Sequence, residues 1–206
     1  MAVNVQYKSI GPEFTQPPAD PVALLRDWFA QAVAHGVREP GATALATVAA
    51  DGTPSSRMIQ ISRITDRGLL FATHAGSRKG REIDQTGRWS GVLYWRETNQ
   101  QVTFGGRAGP ADEAVADELW APRPTLSNAM SIATRQSQPL VGEQELLEQS
   151  LQLATTGGPL VRPSTWLAYE LILSEVEFWQ SSPDALYRRL HYRRTNSTWT
   201  AQRLQP

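Results

Sequence analysis

The residues with the greatest chemical potential in this 206-residue chain stand together in Thr73-His74-Ala75-Gly76-Ser77-Arg78-Lys79-Gly80. This stretch leaves an apolar run, turns through glycine and enters a helix-like run behind two adjacent cations. Backbone amides at a helix start, joined by Arg78 and Lys79, make an anion site, and phosphate is the commonest anion for one. The same spacing also fits a basic helix start in water. Arg57 interrupts the apolar pattern of Ser-Ser-Arg-Met-Ile-Gln-Ile at 55–61, where an inward-facing charge needs a partner. It reads either as a second phosphate ligand or as an edge-strand arginine in water. Gln100-Gln101 and Gln136-Ser137 could bond the edge of a heteroaromatic ring or stand exposed. Trp179 either stacks on a flat ligand or fills the core.

Several other chemistries are excluded. The chain has no cysteine, so thiolate nucleophiles, disulfides and iron–sulfur clusters are out of reach. His35, His74 and His191 show no metal-ligand spacing. No Ser or Asp arrangement frames His74 or His191 as part of a triad, and both read as ordinary polar positions. Asp112, Glu113, Asp117 and Glu118 share one helical run and read as its solvated face rather than a glycosidase pair. Twenty Lys and Arg balance twenty Asp and Glu without a polybasic block, which argues against nucleic acid as a partner. Neither GxxxxGK[ST] nor GxGxxG occurs, so the nucleoside-triphosphate and Rossmann readings fail. Redox chemistry would need a bound organic cofactor. No stretch approaches the ~20 apolar residues of a membrane helix, and the start lacks the pattern of an export signal. The expectation is a soluble cytoplasmic protein.

The elements that must position these residues follow from periodicity. Residues 1–20, with Gly11, Pro12, Pro17 and Pro18, read as a loose arm without an element, and 21–206 as a single domain. Asp20 caps a helix that opens on Pro21, keeps Val22, Leu25, Trp28, Phe29 and Ala32 on one side and stops at Gly36. The period then switches to alternation over 43–50, 56–65 and 69–74, broken at Asp51-Gly52 and Asp66-Arg67-Gly68, which predicts antiparallel hairpins. A short helix is expected over 78–85, then strands over 91–97 and 101–106. Helices follow over 111–120, around 128–135 and over 143–153. Extended runs are expected over 167–179, 186–193 and 198–203. Strands with inserted helices predict an α+β protein built on an antiparallel sheet or barrel.

The order of these features resembles the pyridoxine 5′-phosphate oxidase family of FMN enzymes. It runs from Arg57 through TxAGSRKG at 73–80, YWRETNQQV at 94–102, RP at 123–124, RQSQ at 135–138 and EFWQ at 177–180 to a closing RLQP at 203–206. The resemblance implies an antiparallel split β-barrel with peripheral helices, a homodimer binding FMN at the subunit interface. It places phosphate ligands at Arg57, Arg78 and Lys79. The remaining flavin contacts fall at Thr73, Ser77, Gln101, Gln136, Ser137, Trp179 and Arg189, and no catalytic acid or base is named.

The substrate side departs from the vitamin oxidases. Their lysine, tyrosine and Arg-Leu-His string correspond to Ser62, Leu119 and Ala185-Leu186-Tyr187 here, while Arg123 and Ser127 persist. Aligning Arg189-Leu190-His191 with that string instead would need an insertion after Trp179 and a deletion before Trp199. In the gap-free register Ala185, Tyr187 and Arg189 are expected to share one strand face. The wording THAGSRKGRE, VLYWRET and RLQP resembles the phenazine-biosynthesis branch of the family. That implies oxidation of a dihydro- or tetrahydrophenazine carboxylate, with dioxygen reoxidising the flavin, Arg123 taking the substrate carboxylate and Tyr187 stacking on the ring. Ser62 and Ser127 complete the expected substrate contacts. The alternatives are a pyridoxine 5′-phosphate oxidase with an altered pocket, or a flavin- or haem-binding split-barrel protein without turnover.

Overall fold

In the computed structural model, which describes residues 9–206, the chain follows the expected alternation of strands and helices. Helix α1 (Pro21–Ala34) starts where Asp20 accepts a hydrogen bond from the Val22 amide at 2.8 Å. It is followed by β1 (Ala42–Val48), β2 (Pro54–Gln60), β3 (Arg63–Ile64), β4 (Gly68–His74), α2 (Arg78–Thr86), β5 (Arg88–Trp95) and β6 (Gln100–Pro110). Three helices come next, α3 (Glu113–Trp120), α4 (Thr125–Ala133) and α5 (Glu143–Thr155). The chain ends with β7 (Trp166–Gln180), β8 (Arg188–Thr195) and β9 (Thr198–Leu204). No helix among the described residues is long and apolar enough to cross a membrane.

The strands form one nine-stranded antiparallel sheet in the order β2-β1-β5-β6-β7-β4-β3, with β8 and β9 branching from β7. The ends of this path are consecutive in the chain. Ile61 donates to Gly41 beside β1, and Ser62 donates to Leu70 on β4. The run 56–65, expected as one strand, therefore breaks into β2 and β3 because its amides change partner at Ile61–Ser62. One edge of β7 pairs with β6 along its length, while the other pairs first with β4 and then with β8. Ser174 is the extra residue of a bulge opposite Gly105 and Gly106. A Cβ on Gly106 would lie 2.0 Å from the Ile172 carbonyl oxygen, so the close approach at this fork requires glycine.

The main core gathers Phe14, Leu25, Trp28, Trp95, Phe178 and Tyr192. Trp28 packs edge-on against Phe178 at 5.0 Å between ring centroids. A smaller cluster, Trp120, Ala116, Trp166 and Ala168, joins α3 to β7. The described part of the supposed arm is not loose. Residues Pro12–Phe14 form a 3-10 turn, Phe14 is buried in the main core, and Glu13 accepts a hydrogen bond from the Trp28 indole at 2.8 Å. The Tyr192 hydroxyl donates to the Pro18 carbonyl at 2.9 Å. One aromatic residue among prolines lacks periodicity, yet its burial ties the segment down. The rest of the arm, residues 1–8, lies outside the described residues.

Candidate functional site

The turn from β4 into α2 ties its own helix start down with side-chain hydrogen bonds. Ser77 caps α2, its Oγ accepting from the Gly80 amide at 3.1 Å. Gly80 has to be glycine, because a Cβ there would lie 2.5 Å from the Ala75 carbonyl oxygen. The Arg78 amide donates to Ser137 Oγ at 3.1 Å. Thr73 donates to Gln136 Oε1 at 2.9 Å and shares a 3.3 Å hydrogen bond with Ser77. The residues expected from the first half of the motif series are thus linked to the Gln136-Ser137 pair, which arrives from the segment after α4.

Beneath them sits Glu82, a residue that reasoning from motifs did not single out. Its side chain is 5% exposed. One carboxylate oxygen accepts from Arg78 Nε at 2.8 Å. The other accepts from Ser55 Oγ at 2.6 Å and from Thr47 Oγ1, and lies 3.4 Å from Arg57. Arg57 in turn donates to Thr47 Oγ1 at 2.5 Å and to Ser55. It points into the interior and is not an edge arginine in water. Burial pushes the Glu82 carboxyl up, but the Ser55, Thr47 and Arg78 hydrogen bonds outweigh it and bring it down to about 2. Lys79 is half-buried, and burial together with the nearby Arg57 charge pulls its pKa down. Among the described residues no carboxylate lies within ion-pair distance of Lys79. One carboxylate against Arg57, Arg78 and Lys79 leaves a positive excess, and these cations can hold a phosphate dianion. The signal for Glu82 was its i+4 spacing from Arg78.

Gln101, Trp179 and Arg189 form a second group. They are direct cross-strand neighbours on β6, β7 and β8. Arg189 makes a fork-like pair with Glu177 at 2.7 and 2.9 Å, which raises its pKa, and donates to the Gln205 carbonyl at 3.1 Å. Trp179 is half-buried, outside the core, with the Tyr187 ring 5.3 Å away. Ala185, Tyr187 and Arg189 do not share a strand face as expected, because β8 begins only at Arg188 and Ala185 has a φ of 58°. Asp184 accepts from the Leu186 amide at 2.9 Å and pairs with Arg188 at 2.8 Å, closing a turn where a strand was predicted.

The two groups do not converge within one chain. Arg57 aligns through Leu45, Gly91 and Phe104 with Val176. Gln101 and Trp179 stand three residues from Phe104 and Val176, so they point to the opposite sheet face. Thr73 pairs with Leu167 at the other end of β7 from Trp179, about 40 Å away along the strand.

The expected substrate residues are divided in the same way. Ser62 is exposed at the β2–β3 break, next to Arg63, whose side chain pairs with Glu118 of α3 at 3.0 Å. Arg123 follows α3, its guanidinium 5.4 Å from the Trp120 ring centroid and 4.8 Å from that of Trp166. It donates to Ser131 Oγ at 3.0 Å and to the Ser127 carbonyl at 3.4 Å, so Ser127 contributes backbone. Burial pulls the Arg123 pKa down. A cavity of about 1510 Å³ opens between the end of β4, α4 and α5, lined by Thr73, His74, Arg123, Gln136, Ser137 and Trp166 among others. Tyr187 lies with Trp179 on the other group.

Comparison with known proteins finds relatives along most of the chain. Residues 29–153 match the family model for pyridoxamine 5′-phosphate oxidase. Residues 166–206 match the pyridoxine 5′-phosphate oxidase C-terminal dimerisation region. The dihydrophenazinedicarboxylate synthase of Burkholderia lata is 47% identical over 195 residues, covering 95% of this chain and 92% of that protein. A pyridoxine/pyridoxamine 5′-phosphate oxidase of Rubrobacter xylanophilus is 37% identical over 189 residues, 91% of this chain and 87% of its own. The crystal structure of PhzG from Burkholderia lata 383, in complex with tetrahydrophenazine-1-carboxylic acid, superposes with a TM-score of 0.95 at 46% identity. It covers 97% of this chain and 99% of that one. The chain belongs to the pyridoxamine 5′-phosphate oxidase family, within its phenazine branch.

Proposed function

We propose that this protein is an FMN-dependent oxidase of reduced phenazine carboxylates, with dioxygen as the terminal acceptor. The observation that carries this reading is the cation group at the start of α2, where Lys79 has no counter-charge among the described residues and Glu82 already holds Arg57 and Arg78 in place. A terminal phosphate fits that excess, and the absence of a dinucleotide glycine motif favours FMN over FAD. When bound, the flavin would supply hydride acceptance. Arg57, Arg78, Lys79 and Ser77 would anchor its phosphate, with Thr73, Gln136 and Ser137 beside it.

The same reading requires two chains. Gln101, Trp179 and Arg189 lie on the other sheet face, so a second copy has to bring them to the flavin held by the first. The uncovered sheet face, with Met58 at 63% and Tyr94 at 55% exposure, supplies apolar surface for that contact. In such a homodimer the curled sheet, whose ends meet at Ile61–Ser62, acts as a split barrel. The substrate ring would lie between the flavin and Tyr187 of the second copy. Ser62, Leu119 and Ala185 offer no cation for a substrate phosphate.

The test is anaerobic mixing of FMN-loaded protein with a dihydrophenazine carboxylate and, separately, with pyridoxine 5′-phosphate, followed by flavin bleaching. The phenazine should reduce the flavin on the order of a hundredfold or more faster, since two missing charged hydrogen bonds weigh against the phosphate ester. Faster reduction by pyridoxine 5′-phosphate overturns the assignment.

A further inference from the structure

Strand β4 ends on two residues that point opposite ways. Thr73 turns to Ser77 and Gln136, whereas His74 sits across from Trp166 in the β4–β7 ladder. His74 is 9% exposed, and its Nε2 is buried without a hydrogen-bond partner. Arg123, close enough for its charge to act on the ring, also has a buried Nε without a partner. Among the described residues no carboxylate lies within ion-pair distance of Arg123. Buried donors are normally satisfied, and a buried guanidinium is normally paired. Both groups line the same cavity, whose wall includes the Trp166 ring. One partner serves both groups once Nε2 carries a proton: an anion with two acceptor oxygens, carried on a flat apolar body.

We propose that His74 and Arg123 form one subsite for the carboxylate of an aromatic acid, and that His74 takes up a proton from solvent as the acid binds. The ligand class rests on the function proposed above. In the free protein the ring is held neutral by burial, by Arg123 and by Lys79, with the Ser131 backbone acting in the other direction. A carboxylate placed between His74 and Arg123 offsets both cations and favours the imidazolium, so no ligand bond breaks and one N–H forms. Other charged groups on the cavity wall are Glu145 from α5 and Arg135 from the α4–α5 connection, both exposed, and Trp166 brings no titrating group. Affinity for the carboxylate should accordingly fall as pH rises above neutrality.

The experiment uses FMN-loaded protein and the oxidised ligand phenazine-1-carboxylate, which gives no turnover, with phenazine-1-carboxamide as its neutral isostere. Calorimetric titration near pH 7, in two buffers of different ionisation enthalpy, should show close to one proton taken up with the carboxylate and none with the carboxamide. His74→Gln should abolish the uptake and weaken the carboxylate tenfold or more, with the carboxamide changing less than about twofold. The chain has only three histidines, so ring nitrogen shifts in the unmutated protein give a reading independent of whether the variant folds. His74 should be neutral without ligand and protonated with phenazine-1-carboxylate. A ring that stays neutral in the complex, or a variant that keeps the carboxylate preference and the proton uptake, overturns the proposal. If a dihydrophenazine carboxylate still bleaches the flavin in that event, only this subsite falls. If it does not, the proposed function falls first.

Discussion

The cluster around Glu82 and the pair His74–Arg123 stand on either side of the β4–α2 turn, and they treat buried charge differently. Glu82 has every oxygen occupied, with Arg57, Arg78, Thr47 and Ser55 around it. His74 and Arg123 each keep a buried nitrogen without a partner. The first region is preorganised by the chain's own counter-charge and the second waits for a charge from outside. Preorganisation matters most where a ligand stays bound, because it removes the ordering cost once. Unsatisfied donors suit a ligand that comes and goes, since its release restores a state already tolerated.

The sharpest way to break this contrast is to remove the internal counter-charge. Glu82→Ala should destabilise the apo-protein by about 3–5 kcal/mol, as expected when one partner of a buried ion pair is lost. Urea unfolding measures this, and a loss below about 1 kcal/mol would mean that Glu82 is not holding the arginines. The matched change in the second region, Arg123→Met, should cost much less, because Arg123 has no carboxylate partner among the described residues to leave unpaired.

Next in size is the loss of the ligand cations themselves. Arg78→Ala with Lys79→Ala should weaken FMN binding on the order of a hundredfold or more, from two lost charge-assisted contacts. Flavin fluorescence during titration of the apo-protein measures it. Full flavin retention by the double variant at micromolar protein would remove the phosphate assignment. Trp179→Ala, on the opposite sheet face, should lower flavin affinity about tenfold and make it depend more steeply on protein concentration. A wild-type protein that scatters as a monomer and still carries FMN would remove the shared site.

Much of this was legible in the sequence. Asp20 and Pro21 set the start of α1, Asp51-Gly52 and Asp66-Arg67-Gly68 turn between strands, and Ser77 to Gly87 bounds α2. Motif order also placed Thr73, Ser77, Gln136 and Ser137 in one series, and hydrogen bonds bring these residues together. Three things were not legible, and each depends on partners distant in sequence. Phe14 is buried by packing beside Trp28, which no local period reports. The opposite sheet faces of Arg57 and Trp179 follow from the register of β2, β1, β5, β6 and β7, whose partners lie far apart in the chain. Ala185 to Tyr187 look extended by alternation, but Asp184 and Arg188 close a turn across them.

The smallest expected effect is also the one that reads the two regions separately, through pH. Glu82 falls from an ordinary value of 4.5 to about 2 in the folded protein. Its contribution is therefore complete above about pH 4.5 and is lost as pH falls from there toward 2. His74 is depressed below its ordinary 6.5, first by burial and then by Arg123 and Lys79. The unfolded chain binds that proton more readily, so the His74 contribution is present above pH 6.5 and declines as pH falls below it. The His74 window opens two pH units above the Glu82 window. Urea midpoints of apo wild type and His74→Gln at pH 7.5, 6.5 and 5.5 should diverge at 7.5 and approach each other at 5.5, with each proton linked worth at most about 1.4 kcal/mol per pH unit. A saturating aromatic carboxylate should reverse the trend by making protonation of His74 favourable in the folded state. A constant gap across this range, with and without the acid, would mean that the ring's ionisation is not tied to the fold, and the second region would lose its claim to be waiting for a charge.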